Sequence, residues 1–229
     1  DIEEQVPTVL HRASDFAGYA VISPNGDELA WVEWQQPAMP WEASQLWWAR
    51  FDEVGEIQSK ALLAGSSPHE FRRIAVFQPF WLSSGELVVS EDSSGWWNLM
   101  VSGPEINPDE RVFWRRPWPM VAEIGMPQWV YGMSTAVSVG QDLLAASCEK
   151  GSWRLNLLAC DGLISEFHQP FDDLAYLNAE RGHAVAIASN SCSGSGLLEI
   201  DVNLGTWQHT PVSDPVLNAE EISVAEPFW

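Results

Sequence analysis

The sequence predicts an all-β protein, a β-propeller of about four four-stranded blades that is open and incomplete. Three observations predict it. A pattern of apolar strand, tight turn and apolar strand recurs four times: 20–26 into 29–34, 78–85 into 87–90, 127–130 through Gly140 into 143–147, and 177–182 into 184–188. The turn glycines Gly26, Gly85, Gly140 and Gly182 stand 59, 55 and 42 residues apart, which suits one blade per repeat and is too long for leucine-rich or ankyrin units. Helical periodicity is nearly absent. Adjacent apolar pairs such as Leu87-Val88 and Leu143-Leu144 suit strands buried on both faces, as when blade packs on blade.

The elements follow in order. Residues 8–12, Thr-Val-Leu-His-Arg, read as the outer strand of a partial blade over 1–15. In the blade over 16–65, Ser23-Pro-Asn-Gly26 is a turn because Pro presets φ and Asn-Gly tolerates positive φ, and the flanking β-branched and aromatic residues favour strands. Residues 35–44 contain Pro37 and Pro40 without alternation and form a long loop. Strand character returns over 46–51, a turn at Asp52-Glu-Val-Gly55 follows, and 57–63 supplies an outer strand.

The blade over 75–116 places strands at 76–81, 87–91, 96–100 and 111–114, with a turn at Asp92-Ser-Ser-Gly95. The blade over 126–168 uses 128–131, 142–148, 153–159 and 163–167, and the blade over 173–210 uses 174–178, 183–189, 197–202 and 206–209. From 211 to 229 the chain turns polar and is punctuated by Pro, as an exit linker would be.

Charge excludes some partners. Eleven Lys and Arg against 32 Asp and Glu give a net charge of −21, and no Lys or Arg follows Arg181, so nucleic acid and anionic membrane are repelled. No apolar run reaches the roughly 18 residues of a membrane span, and the acidic start Asp1-Ile-Glu-Glu4 lacks the basic region of a signal peptide. The chain reads as soluble. Fourteen Trp residues supply large rigid surfaces for packing between sheets.

The three Cys residues do not read as a disulfide framework. Cys148 should face Trp153 across a hairpin, with Cys160 roughly 20 Å further along it. Cys192, in a polar turn, should be the more exposed. Reduced thiols fit a cytoplasmic setting.

Several stretches together resemble the propeller of prolyl oligopeptidase-family serine peptidases, in the dipeptidyl and acylaminoacyl peptidase-like branch. They are the run 15–34, Pro37-Ala-Met-Pro-Trp41 with Gln45-Leu-Trp47, Gln78-Pro-Phe-Trp81, Ser90-Glu-Asp-Ser-Ser-Gly-Trp-Trp-Asn-Leu99, Pro127-Gln-Trp-Val-Tyr-Gly-Met133 and Ile222-Ser-Val-Ala-Glu-Pro227. The resemblance implies a propeller that covers an α/β-hydrolase domain of the same polypeptide and admits only short peptides. It implies no catalytic residue here, because the family's Gly-x-Ser-x-Gly elbow is absent: Gly65-Ser-Ser-Pro-His69 and Cys192-Ser-Gly-Ser-Gly196 each lack one of the two glycines. The family's propellers have more blades than four, so the chain reads as a propeller segment ahead of the hydrolase.

Among candidate site residues, His11, His69, His168, His183 and His209 lack ligand spacing, and no metal or cofactor is expected. Asp172-Asp173 lacks the alternating oxygens of a calcium loop. Met39 and Trp41 are candidates to face substrate, since Met adapts and Trp offers a stacking face; the same loop could instead cap the core of its own blade. Arg72 and Arg73 could hold a peptide carboxylate through bidentate bonds, as could Arg115-Arg116, or these pairs could offset local acidity. Trp96, Trp97 and Asn98 read as structural, with the two indoles facing opposite neighbours. The alternative function is a freestanding propeller that binds a protein or peptide.

Overall fold

Of the 229 residues, the computed structural model describes 7–213, 217 and 219–224. Among these, every extended element lies in one of four antiparallel sheets, and a short 3-10 turn at Ala219–Glu221 is the only helical element. The first sheet is β1 (Phe16–Ile22), β2 (Glu28–Trp34), β3 (Gln45–Phe51) and β4 (Ile57–Gly65), paired in that order. The second is β5 (Val76–Trp81), β6 (Leu87–Glu91) and β7 (Asn98–Val101). The third is β8 (Ala136–Val139), β9 (Asp142–Glu149), β10 (Ser152–Leu158) and β11 (Ile164–Glu166), and the fourth is β12 (Asp173–Glu180), β13 (His183–Ser189), β14 (Gly196–Asp201) and β15 (Thr206–Pro211). In each sheet neighbours in sequence are neighbours in space, the up-and-down meander of a propeller blade. The fold is all-β and of partial-propeller type.

The leading strands share a signature. Tyr19 in β1, Gln78 in β5 and Tyr176 in β12 all adopt positive φ, between 49° and 56°, and the register of β1 and β12 slips beside the tyrosine. Such bulges bend a strand and increase its twist.

The chain divides into two compact units, Asp1–Val88 with Ser102–Trp114, and Val89–Val101 with Arg115–Trp229. In the first, Ala30, Val32, Leu46, Trp48, Val76 and Phe77 are buried, and Tyr19 meets Phe77 edge-on at 5.6 Å. In the second, Ala184, Ala186 and Ala188 put a row of small side chains on one face of β13, with Leu174 and Leu198 beside them on the flanking strands and Leu144 and Leu155 of the third sheet in the same buried cluster. Leu87-Val88 and Leu143-Leu144 are fully buried as pairs, which requires cover on both faces of β6 and β9.

Four predicted strands are absent or displaced. Residues 8–12 run without strand pairing, with Val9 and Leu10 exposed. Residues 111–114 form no fourth strand in the second sheet: Arg115 makes an isolated bridge to Val101, and the Trp114 indole donates to the Leu63 carbonyl at 3.3 Å. Pro117, two residues beyond the bridge, has no N–H with which to extend it into a ladder along β7. Residues 128–131 turn tightly, the Trp129 N–H donating to the Pro127 carbonyl, and the leading strand of the third sheet is β8 instead. Trp96 and Trp97 precede β7 rather than lying in it. Residues 1–6 of the predicted partial blade, and 214–216, 218 and 225–229 of the predicted linker, lie outside the described residues.

Candidate functional site

The 35–44 loop is held by its own backbone. Ala38 N–H donates to the Gln35 carbonyl, Glu42 and Ala43 N–H both donate to the Met39 carbonyl, and the Glu42 carboxylate accepts from Met39 N–H at 2.8 Å. Ala38, Pro40 and Ala43 face inward while Met39 is 50% exposed and Trp41 is half-buried. The apolar groups on the inner side fix the loop, and the thioether is left at the surface.

A serine clasp joins this loop to the segment carrying Arg72 and Arg73. Ser44 Oγ donates to the Val76 carbonyl and accepts from its N–H, and Ser44 N–H donates to the Ile74 carbonyl. Ser66 Oγ donates to the Ile74 carbonyl and accepts from Ile74 N–H at 2.7 Å, while Ser66 N–H reaches the Ser44 carbonyl. Both serines are 1% exposed, so these bonds are sheltered from water. Gly65 is required at the joint, because its φ is +83° and a Cβ there would run into the Ser44 carbonyl. Thus two loops far apart in sequence share one anchor. Arg72 and Arg73 are exposed, next to exposed Phe71. An adaptable thioether, an indole and two guanidinium groups can offer apolar contact and carboxylate binding to a peptide; no nucleophile–base pair is among them.

Trp96, Trp97 and Asn98 organise another region. Asn98 is 2% exposed; its Nδ2 donates to the Trp97 and Ala122 carbonyls, and its Oδ1 accepts from Met120 N–H at 2.6 Å. Trp97 N–H donates to the Glu123 carboxylate, and the Trp97 indole lies over Gly125, where a Cβ would meet it at 2.9 Å. Trp96 is exposed. Arg116 donates to the buried Glu91 carboxylate and to Ser93 Oγ, both at 2.7 Å. That pairing accounts for one arginine of the Arg115-Arg116 pair as a neutraliser of local negative charge.

All three cysteines are free. Cys148 sits opposite Trp153 as expected, but Cys160 is the exposed thiol and Cys192 is half-buried. The Asn190 side-chain Oδ1 accepts from both Cys192 and Ser193 N–H and folds that turn inward. Burial pushes the Cys148 thiol above its usual range; the Glu123 carboxylate acts the same way, against a backbone hydrogen bond at Gly151. Among the described residues no group of three or more His, Cys, Asp or Glu side chains is arranged to hold a metal ion. A polar cleft of about 340 Å³ at the β1–β2 and β5–β6 turns is lined by Asp27, Glu28, Arg50 and Glu105, and its Glu28 and Arg50 already pair.

No protein-family model matches the sequence, and no curated protein does. The meandering sheets define the class: a propeller segment, resembling the propeller part of prolyl oligopeptidase-family peptidases. Particular solved structures carry the likeness. A Mycobacterium tuberculosis puromycin-hydrolyzing peptidase matches with a TM-score of 0.83 at 21% identity, over 94% of this chain and 32% of that one. A puromycin hydrolase matches at 0.76 and 26% identity, over 87% and 30% of the two chains. Prolyl oligopeptidase B from Galerina marginata matches at 0.68 and 11% identity, over 93% and 29%. The chain spans about a third of the length of the solved chains it matches.

Sequence reasoning missed two features. Trp129, Val130 and Tyr131 form an exposed aromatic turn, which their apolar run disguised as a strand. His11, Glu33 and Lys60 meet although 22 and 49 residues separate the histidine from its partners. The one clue in the sequence was a carboxylate, Glu33, set between Val32 and Trp34 in an otherwise apolar strand.

Proposed function

We propose that this chain is the non-catalytic propeller segment of a prolyl oligopeptidase-like serine peptidase, gating the access of short peptides to an α/β-hydrolase domain of the same polypeptide. One observation carries the reading: nearly the whole chain matches one third of a peptidase, and this chain lacks the Gly-x-Ser-x-Gly elbow. The hydrolase would supply nucleophile, base and oxyanion donors by an acyl-enzyme route. The propeller would contribute exclusion of long chains and part of the wall of the substrate chamber.

In this reading Met39 and Trp41 give apolar contact to a bound peptide, and Arg72 and Arg73 attract its carboxylate. The free thiols fit a reducing, cytoplasmic compartment, and the surplus of carboxylates keeps nucleic acid and anionic membrane away. No helix among the described residues is long and apolar enough to cross a membrane.

The gene sequence beyond the Trp229 codon tests the first part. A continuing frame that encodes a Gly-x-Ser-x-Gly elbow followed by Asp and His is expected, and a stop codon there would overturn the proposal in favour of a freestanding binding propeller. In the full polypeptide, Met39→Ala with Trp41→Ala should raise KM for short peptides severalfold with kcat little changed, because uniform binding is removed. An unchanged KM would remove the loop from the substrate wall.

A further inference from the structure

One face of the first sheet holds a slot filled by the chain's own His11. The Glu33 carboxylate, on a residue only 5% exposed, accepts from the Trp31 indole N–H at 2.6 Å and from His11 Nε2 at 2.5 Å, both on Oε1. Lys60 Nζ lies 3.3 Å from His11 Nδ1. An ammonium has only hydrogens to offer, so Nδ1 accepts and the ring hydrogen sits on Nε2, where it faces the carboxylate. The ring rests at 5.2 Å from Trp31, which is itself stacked on Trp47 at 6.5 Å, and Lys60 lies over Trp47 at 4.9 Å. Both ring nitrogens and one side of the imidazole are thus engaged.

The segment that delivers this imidazole is otherwise loosely held. Pro7, Thr8, Val9, Leu10 and Arg12 are exposed, Val9 by 62% and Leu10 by 44%, and 7–13 has no strand partner. Its apolar side chains add little burial, and among the described residues the side-chain contacts of 7–13 are those of His11. The receiving groups come from β2, β3 and β4, where Trp31 is paired and stacked with Trp47. The slot is built on paired strands, and its occupant is an unpaired segment.

We infer that Trp31, Glu33, Trp47 and Lys60 form a binding site for a neutral histidine side chain presented by a polypeptide segment, and that residues 7–13 are its built-in ligand, exchangeable for a histidine-bearing peptide in trans. The site selects against lysine and arginine, which have no acceptor to offer Lys60 Nζ, and against phenylalanine, which leaves the Glu33 carboxylate without its second donor. Exchange breaks one set of hydrogen bonds and forms the same set again, so it requires little beyond a local concentration that competes with the tether.

The test uses the full chain with His11→Gly, and free imidazole and the heptapeptide Pro-Thr-Val-Leu-His-Arg-Ala as probes. Tryptophan fluorescence should change saturably with either probe, and a peptide carrying Phe for His should leave it unchanged. A folded variant that responds to neither probe, or equally to the Phe peptide, overturns the inference. The unaltered chain gives a second reading that does not depend on that variant folding. Its ¹⁵N-labelled His11 should show the fixed Nε2–H tautomer by NMR and should move towards free imidazole as heptapeptide is added. A His11 that already averages like free imidazole before any addition overturns the inference as well.

Discussion

Asn98 shows how one side chain can organise a region without touching a ligand. Its amide satisfies three backbone groups while almost fully buried, so Asn98→Ala leaves Met120 N–H and the Ala122 carbonyl without their partner. Buried orphaned groups carry a desolvation cost, and the expected loss is about 2–3 kcal/mol in urea unfolding, with Asn98→Asp no substitute because the two donors are gone. Cys148 makes a second prediction at this scale. Its thiol is raised above the ordinary value in the fold, so the native state retains the proton longer than the unfolded chain. The stability this gives is fully present below the unfolded thiol range of about 8.5 and is lost as pH rises through the folded value. The wild-type melting temperature should fall on going from neutral to alkaline pH more than that of Cys148→Ala. Iodoacetamide at neutral pH should label exposed Cys160 well before Cys148.

At the scale of elements, the blades are defined by turns and by the joints between segments. Gly65 ends β4 and touches the Ser44 carbonyl, so Gly65→Ala forces backbone apart as well as straining φ. Gly26 has a similar φ of +80° but open space where a Cβ would stand. Chemical unfolding should therefore show Gly26→Ala costing about 1–2 kcal/mol and Gly65→Ala about 3 kcal/mol or more, with the difference measuring the clasp. Equal costs would mean that the clasp yields freely. The Arg116–Glu91 pair joins the β6–β7 turn to the segment after the missing fourth strand. Arg116→Met alone should cost about 2 kcal/mol because it strands a buried carboxylate. Adding Glu91→Gln should recover part of that, as a double-mutant cycle would read out. Here the sequence was legible where turn chemistry is local, as at Ser23-Pro-Asn-Gly26, Asp52-Glu-Val-Gly55 and Asp92-Ser-Ser-Gly95. It misled where apolar residues recur without a ladder to join, as at 8–12, 111–114 and 128–131.

For the whole molecule, charge sets the strongest expectation. A net −21 on 229 residues means that carboxylates repel one another throughout the folded surface, and added salt screens that repulsion. Raising sodium chloride to about 0.5 M should lift the melting temperature by a few degrees, and an unchanged or lowered value would show that paired charges such as Arg50–Glu28 and Arg116–Glu91 outweigh the repulsion. The fold also leaves Val185, Ile187 and Leu197 about two-fifths exposed on one face of the fourth sheet, whereas β6 and β9 are buried on both. A further blade packed there would bring this sheet to the same condition, in keeping with the proposed place of the chain within a longer peptidase.

The sequence alone determined the class of fold, the meander of its sheets and the absence of the nucleophile elbow, because turn residues, alternation and short motifs act over a few neighbours. Only the tertiary structure decided which loops share an anchor and what fills the slot on the first sheet. Ser44 with Ile74, and His11 with Glu33 and Lys60, meet across 22 to 49 residues through hydrogen bonds outside the strand ladders, and no local preference of the chain encodes such meetings.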